Sequence, residues 1–307
     1  MTMSRMEKRL RSGEFELSGA NVRLAAAHVL ARWRSHVGRA LGGRRMEPAP
    51  SFAAPRVRES RGRASWYRGP DCNFLPSKQQ LAADDAMRCV LGGWAAGRPF
   101  IDRDMYITTF GSCFAEHVTT YLYRNGYKVF GRDLKQDTYI IRCGEGLVNT
   151  FAIRQQFEWA LGEREFAATL WHDRDGKVLD YDADVRRVTR DIMLGTDVFV
   201  ITLGLSEIWY DKESGEAFWR AVPADRFDPR RHGFKISTTQ ENRENLAAIH
   251  RLIRQHRPEA AIILTLSPVP LSATFRAVSC ITANAVSKAV LRVAVDELMR
   301  ERRDDAR

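Results

Sequence analysis

The sequence predicts an α/β protein, a three-layer α/β/α sandwich with a mainly parallel sheet. Two uncharged apolar runs, at Val198–Leu203 (VFVITL) and at 260–266 (AAIILTL), are typical of strands that are buried on both faces. From residue 105 onwards, strand-like segments alternate with helix-like ones, which is the pattern of a parallel sheet covered by helices. With 44% hydrophobic and 28% charged residues, the composition is that of a globular protein, so a fully disordered or collagenous chain is excluded.

The predicted elements follow one another from residue 105 to residue 299. In chain order they are a strand at 105–110, a helix at 112–125, a strand at 128–130, a helix at 150–161, a hairpin at 166–181, a strand at 198–203, a hairpin at 208–222, a helix at 239–256, a strand at 260–266 and a helix at 284–299. The first strand (MYITTF) consists of β-branched and aromatic residues and is ended by Gly111. The helix after it closes near Gly126, because glycine commonly ends helices.

Turn signals bound the later elements. Gly176 follows an aspartate and Gly215 follows a serine, and each pair favours the tight turn of a hairpin. The segment 150–161 (TFAIRQQFEWAL) is strongly helical. The polar helix at 239–256 carries one apolar face, and Pro258 prevents its continuation.

Charge divides the chain into two parts. Residues 1–68 hold 15 Lys and Arg but 5 Asp and Glu, which is the whole excess of +10, while the other 239 residues hold 33 of each sign. We therefore expect a basic, largely disordered tail at 1–68 and one folded domain at 69–307. The tail is the one signal for an anionic partner such as nucleic acid, and runs of like charge are usually solvated. No apolar run approaches 18 residues, so no membrane span is expected.

The cysteines give no sign of a disulfide framework. There are five, an odd number, and no CxxC pair occurs. We expect reduced thiols and a cytoplasmic protein. Carboxylates at 71–73 and 102–104 have no His or Cys at metal-ligand spacing, so no metal and no other cofactor is predicted.

The ends of three predicted strands indicate where a site would form. In open α/β sheets, ligands bind beyond the carboxyl ends of the strands, here 110–112, 203–207 and 266–268. Ser112 follows a strand and a glycine and opens a helix, where free amides and the helix dipole favour an oxyanion. It is therefore a candidate nucleophile, although an ordinary helix N-cap fits the spacing as well. We expect Cys113 to be a buried thiol.

Two other patterns have structural and functional interpretations. Aromatic residues at 209–219 form either a sugar-stacking platform or a satellite core, and we favour the core. Arg154 and Glu158, four residues apart on one helix, pair with each other; helix packing is favoured over a role in a site.

Five blocks of sequence resemble the GSCFA-domain family. They are TTFGSCFA at 108–115, NTFAIRQQFEWAL at 149–161, ITLGLSEIWYD at 201–211, LSPVPLSATF at 266–275 and ANAVSKAVLR at 283–292. The resemblance extends from about Tyr67 to the C terminus. The family is similar to the SGNH hydrolases, which implies a flavodoxin-like α/β fold. It also implies a serine-dependent esterase or acyltransferase, acting on an acylated glycan or small molecule.

The resemblance assigns roles to individual residues. Ser112 stands at the position of the nucleophile, and its amide is one oxyanion donor. Gly131 stands at the position of a second donor, although Gly126, Gly144 and Gly146 keep that choice open.

The third block departs from the pattern Gly-x-Asn-Asp. Here the chain has Gly204, Leu205, Ser206 and Glu207. Ser206 replaces an asparagine that would donate to the oxyanion, and its hydroxyl still has a proton to donate. Glu207 only accepts hydrogen bonds when it is ionised, and it would repel an oxyanion.

The late Asp-x-x-His block of SGNH hydrolases, which supplies the base, has no counterpart because no histidine follows Ser267. Either the chain is truncated at its C terminus, or the base is an upstream histidine. His232 is the first choice because it lies in a polar loop, whereas His117 is off the facing positions of the Ser112 helix. The alternative is a non-catalytic ligand- or glycan-binding module on a hydrolase fold.

Overall fold

A computed structural model describes residues 75–82, 89–90, 92, 99–111, 113–130, 149–168, 170 and 183–302. The chain divides into two compact units, Met1–Phe100 and Ile101–Arg307. The first unit contains a short helix, α1 (Lys78–Ala82). The predicted tail at 1–68 lies outside the described residues, so the boundary at residue 69 stays a prediction.

The second unit alternates strands and helices. Its strands are β1 (Tyr106–Phe110), β2 (Lys128–Val129), β3 (Val198–Leu203), β4 (Glu207–Asp211), β5 (His232–Ile236) and β6 (Ala261–Leu266). Its α-helices are α2 (Cys113–Arg124), α3 (Thr150–Leu161), α4 (Ala183–Gly195), α5 (Thr239–His256) and α6 (Cys280–Glu301). A 3₁₀ turn, Ala224–Arg226, lies between β4 and β5.

Four strands form one parallel sheet in the order β2-β1-β3-β6. In the register of its centre, Phe110 of β1 lies beside Ile201 of β3, and Leu203 lies beside Leu266 of β6. Because the strands are parallel, their carboxyl ends share one edge of the sheet. β4 and β5 form a separate antiparallel ribbon, which leaves the sheet directly after β3.

Apolar side chains cover both faces of the sheet. Alternate residues of β3 point to opposite faces: Phe199 and Ile201 join the larger core, with residues of α3, α5 and α6. Val198 and Val200 join a smaller cluster, against which Leu122 of α2 packs. Helices therefore flank the sheet on both sides, and the predicted α/β sandwich with a parallel sheet is confirmed.

Helices α3 and α5, whose first and last residues agree with the predicted ones, have local capping signals at their termini. The side chain of Asn149 caps α3 by accepting from the Ala152 amide, and Gly162 ends it at φ 83°. α5 begins with a capping box in which Thr238 and Glu241 exchange hydrogen bonds. Such signals are local, so the sequence alone predicts these boundaries.

Four predictions need correction or stay untested. α4 was not predicted, although Val185, Val188 and Ile192 have helical spacing in a polar segment. The second hairpin is present but short: Gly215 turns the chain and Tyr210 forms an antiparallel bridge with Ala217, while β5, which was not predicted, pairs with β4 along its length. β6 is half-buried rather than fully buried, since it has one partner in the described sheet. The first hairpin lies outside the described residues.

Candidate functional site

The site is built from the end of β1, where Gly111 makes the transition to α2. Gly111 has a φ of 149°, which residues with a Cβ rarely adopt. A Cβ placed there would lie 2.8 Å from the Cβ of Ala115 and 2.8 Å from the Cβ of Thr202. The strand and the helix therefore meet so closely that glycine alone fits. Ser112, the next residue, lies outside the described residues.

Helix α2 is fixed against the sheet by its buried face. Ala115 and Thr119 are its buried residues, and the Thr119 hydroxyl is hydrogen-bonded to the hydroxyl of Thr109 in β1. Its N terminus therefore lies at the carboxyl edge of the sheet, where its first-turn amides have no acceptor within the helix. Cys113 is exposed, so the expectation of a buried thiol is wrong: the first residue of α2 is not on its core face.

The end of β3 brings together the three residues predicted from the third block. Gly204 is buried and Ser206 is fully buried. The Ser206 amide donates to the Ser287 hydroxyl (2.7 Å), and its carbonyl accepts from the Ser237 amide (2.8 Å). Its own hydroxyl has no hydrogen-bond partner among the described residues. Since buried hydroxyls normally have a partner, this atom is a candidate contact for a ligand.

Glu207 lies next to Ser206 and is also buried, with 8% of its surface exposed. Its Oε1 accepts from the hydroxyl of Thr274, in the loop after β6, at 2.5 Å. No described cation forms an ion pair with it. A carboxylate that only accepts hydrogen bonds therefore occupies the position at which the resemblance implies a second polar side chain near the oxyanion.

Lys288 reaches the same edge from helix α6. Its Nζ donates to the carbonyl of Gly204 at 3.1 Å. Burial lowers the pKa of this lysine below its ordinary value, and burial is the sole cause of the shift. Sequence reasoning missed it, although Lys288 flanks a helical stripe that includes Ala283, Ser287 and Leu291, all of which are buried.

A buried polar network holds the 204–207 segment in place. Its hydrogen bonds run in order through Ser206, Ser237, Asn242, Thr150, Asn245, Arg154 and Glu158. It joins the turn after β3 to the N termini of α3 and α5. The predicted pair of Arg154 and Glu158 is present at 2.6 Å and is part of this network, which agrees with a packing role.

His232, the predicted base, lies at the other end of the ribbon. It begins β5 opposite Asp211, whereas Glu207 lies opposite Ile236. Asp211 lies four positions after Glu207 along β4, which is about 13 Å. The structure therefore does not bring His232 to the 204–207 segment.

The environment of His232 determines which nitrogen of its neutral ring carries the proton. Its ring packs against Phe218 and Phe227, with centroids 5.0 and 5.7 Å away. Its Nδ1 accepts from the amide of Asp228 at 2.8 Å, so the neutral ring carries its proton on Nε2. Burial, and then the charge of Arg231, lower its pKa. With Nε2 protonated, the neutral ring has no free lone pair with which to take a proton from a serine.

The other predicted residues fall into two groups. Gly131, Gly144 and Gly146 lie outside the described residues, and Gly126 turns the chain after α2 at φ 79°. His117 is exposed.

The aromatic segment 209–219 is divided between core and surface. Phe218 and Trp219 are fully buried, as the core interpretation predicts. Trp209 is half-buried and contacts Phe275 at 4.8 Å between ring centroids, and Phe275 is 68% exposed.

Two absences hold for the part of the chain that the structure describes. None of the helices there has the length and apolar character that a membrane crossing needs. The same part of the chain has no group of three or more His, Cys, Asp or Glu side chains arranged to hold a metal ion.

Comparison with known proteins identified one family. The model of the GSCFA family matches residues 106–306, which include every strand of the sheet and the whole candidate site. No curated protein and no solved structure matches the chain.

Proposed function

The chain belongs to the GSCFA family, and on that premise we propose that it is a serine-dependent esterase or acyltransferase of the SGNH hydrolase type. Its nucleophile is Ser112. Its substrate is an acylated glycan or an acylated small molecule.

The observation that carries the proposal is the geometry of Gly111. Its positive φ and the 2.8 Å approach to Ala115 and Thr202 turn the chain sharply from β1 into α2. The residue after Gly111 stands two positions beyond the end of β1, a central strand, and directly before the first residue of α2. Serine at this place combines a nucleophilic hydroxyl with nearby amide donors and the positive end of the helix dipole.

The reaction divides into two steps. The Ser112 oxygen attacks the acyl carbonyl, the bond to the leaving alcohol breaks, and an acyl-enzyme forms. Water or an acceptor hydroxyl then attacks the same carbon and releases Ser112. The amides of Ser112 and Gly131 are the proposed oxyanion donors, with the unpartnered Ser206 hydroxyl as a third.

A fluorophosphonate probe tests the nucleophile, because it phosphonylates activated serines with loss of fluoride. The full chain is expected to be labelled at Ser112 and to hydrolyse p-nitrophenyl acetate. Ser112→Ala should abolish labelling and lower turnover by about 1000-fold or more. Cys113→Ala is the matched control: it removes the exposed neighbouring thiol and should leave both signals intact. Labelling that follows Cys113, or no labelling of the wild type, contradicts the proposal.

A second candidate function is a non-catalytic binding module, and Glu207 is the observation that favours it. A buried carboxylate beside the predicted oxyanion opposes negative charge there, and losing one oxyanion donor costs about 100- to 1000-fold in rate. This function predicts a glycan or acyl-donor ligand, found by thermal-shift screening, whose affinity is unchanged by Ser112→Ala. If binding is lost in that variant, the module is not independent of the serine.

A further inference from the structure

One face of the β4–β5 ribbon carries large aromatic side chains that stay partly exposed. Trp209 of β4 and Phe234 of β5 lie opposite each other in the register, with ring centroids 5.3 Å apart. Phe275, in the loop after β6, packs on both rings, 4.8 Å from Trp209 and 5.8 Å from Phe234. Phe227, which precedes β5, packs against Trp209 at 5.8 Å. These four residues form the aromatic surface.

The aromatic surface is held in place by its own ring contacts and is open to solvent. Phe275 is 68% exposed and Phe227 is 49% exposed, whereas Trp209 is half-buried. The rings of Phe275 and Phe227 are each perpendicular to the indole of Trp209, with interplanar angles of 90° and 89°. Proteins seldom group several exposed rings in this way unless the rings bind something.

The aromatic surface borders the candidate site. Alternate residues of a strand share a face, so Glu207 and Trp209 lie on the same face of β4, about 7 Å apart. The loop after β6 contacts both, because Thr274 donates to Glu207 and the next residue, Phe275, packs on Trp209. A ligand on the aromatic surface therefore also reaches Glu207 at the carboxyl edge of the sheet.

Two polar groups of opposite kind at this border have hydrogen-bonding capacity left. Glu207 accepts from the Thr274 hydroxyl, and no described cation pairs with it. Arg276, whose amide donates to the same hydroxyl at 3.2 Å, has a buried Nη1 without an acceptor among the described residues. Buried polar atoms normally have a partner, so a ligand atom is expected to supply it. The carboxylate needs a donor and the guanidinium needs an acceptor.

We propose that the aromatic surface is a subsite for a pyranose ring of an electrically neutral glycan. The inference deepens the proposed function, on which it rests for the acyl group, by naming the substrate class. The C–H groups on the face of a pyranose pack against aromatic rings, whose negative faces attract them.

The polar border distinguishes a neutral glycan from other ligands. A sugar hydroxyl both donates and accepts, so neighbouring hydroxyls of one ring satisfy Glu207 and Arg276 together. An anionic ligand would be repelled by the Glu207 carboxylate. A purely apolar partner would leave the Arg276 nitrogen buried without an acceptor, which costs free energy.

Isothermal titration calorimetry of the full chain with cellohexaose, xylohexaose and chitohexaose tests the subsite. At least one of these neutral oligosaccharides should bind, and Phe275→Ala should weaken its binding by about 10-fold. Because Phe275 is mostly exposed, its replacement should leave the thermal melt unchanged. Tyr123→Ala is the matched control: Tyr123 is 46% exposed but lies in the last turn of α2, away from the carboxyl edge. Its affinity should stay within about 2-fold of the wild type.

Arg276→Met tests the polar border, because methionine keeps an unbranched apolar stem and removes the donor. It should weaken binding of the same oligosaccharide by about 10-fold or more. Hexagalacturonate, whose rings carry carboxylates, should bind more weakly than the neutral oligosaccharide because Glu207 repels it. Tighter binding of the acidic oligosaccharide would overturn the assignment to a neutral glycan.

The outcomes separate the subsite from the proposed function. If fluorophosphonate labels Ser112 but none of the three oligosaccharides binds, the esterase proposal stands and the subsite is overturned. If an oligosaccharide binds through Phe275 while the wild type is neither labelled nor active on p-nitrophenyl acetate, the subsite stands and the esterase proposal fails.

Two further measurements identify another occupant of the aromatic surface. Size-exclusion chromatography with light scattering detects a dimer that Phe275→Ala dissociates, and sedimentation with phosphatidylglycerol vesicles detects lipid binding that the same variant abolishes. The expected result is that Phe275→Ala changes neither the oligomeric state nor vesicle binding. Either effect, without oligosaccharide binding, would show that the surface serves a second copy or a lipid surface, and the inference would be wrong.

Discussion

The charged groups at the two ends of the β4–β5 ribbon have opposite environments: one is compensated by hydrogen bonds and an opposite charge, and the others are not. At the far end, Asp211 accepts from Arg231 at 2.6 Å and from the amides of Glu213 and Ser214. At the near end, Glu207 has one hydroxyl donor and Lys288 contacts a carbonyl. Neither has an ion-pair partner among the described residues.

The difference indicates which end serves folding and which end serves function. Burial raises the pKa of Asp211, but its hydrogen bonds and the charge of Arg231 outweigh this, and the net pKa is lowered. The folded state therefore favours this charge. At the near end, desolvation of Lys288 is not compensated, so its charge opposes folding. Uncompensated groups of this kind are concentrated at functional sites.

The largest effect is expected at Gly111, where backbone geometry rather than charge maintains the near end. Gly111→Ala forces a Cβ into contact with Ala115 and Thr202 and imposes an unfavourable φ. Strain and overpacking together should cost about 2–6 kcal/mol of unfolding free energy, measured by urea denaturation. Gly126→Ala is the control: it also has a positive φ, 79°, but nothing lies within 4 Å of its Cβ, so it should cost about 1–2 kcal/mol. Equal losses would contradict this account of Gly111.

The next largest effect is expected at Arg231, the cation at the far end of the ribbon. Arg231→Met leaves the buried Asp211 without its guanidinium and should lower stability by about 1–3 kcal/mol. Its neighbour Arg230, whose side chain is 91% exposed in its pair with Asp228, provides the control: Arg230→Met should cost clearly less stability than Arg231→Met, because solvent screens an exposed pair.

Lys288→Met should leave the free energy of unfolding unchanged or increase it, because it removes a desolvated charge without an ion-pair partner. Thermal melts at neutral pH measure this. A loss of stability as large as that of Arg231→Met would break the contrast between the two ends.

A smaller effect, on pH dependence, is expected at His232. Its pKa is lowered in the folded state, so the unfolded chain binds the proton more tightly and takes it up at a higher pH. The resulting stability is present above the ordinary pKa of about 6.5 and is lost as the pH falls below it. His232→Gln should flatten that part of the stability curve below about pH 6.5. An unchanged slope, measured by urea unfolding at several pH values, would contradict the burial of neutral His232.

The smallest effect is expected at Glu207. Glu207→Gln removes a buried charge that one hydroxyl partly compensates, and it keeps an acceptor for Thr274. The variant should be stabilised by up to about 1 kcal/mol, and its rate of ester hydrolysis should increase because an oxyanion is no longer repelled. A destabilised variant would show that Glu207 has a cationic partner in solution.

The sequence predicted local features of the fold better than contacts between distant segments. Apolar runs predicted β3 and β6, and helical sequence patterns together with Pro258 predicted the full lengths of α3 and α5, because these signals lie within or beside the elements themselves. The turn signal at Gly215 predicted the short hairpin after β4. The longer pairing of β4 with β5 was missed because β5 begins 21 positions after the end of β4. α4 was missed because its apolar stripe is embedded in charged residues.

The same distinction applies to the site. The strand-end rule correctly placed Gly204, Ser206 and Glu207 together at the carboxyl edge of the sheet. Lys288 was missed because its environment depends on a contact across 84 positions of the chain, which no local pattern records. The position of the proton on His232 likewise depends on the amide of Asp228, which only the folded loop brings to its ring.

Because of the constraint at Gly111, saturation mutagenesis should affect different properties of the protein at positions 111 and 112. Substitutions at position 111 should reduce the amount of folded protein, since any side chain meets both Ala115 and Thr202. Substitutions at position 112 should leave abundance intact and remove labelling. A screen that measures abundance and labelling in the same cells would therefore separate these two adjacent positions: variants at 111 lose abundance, whereas variants at 112 keep abundance and lose labelling.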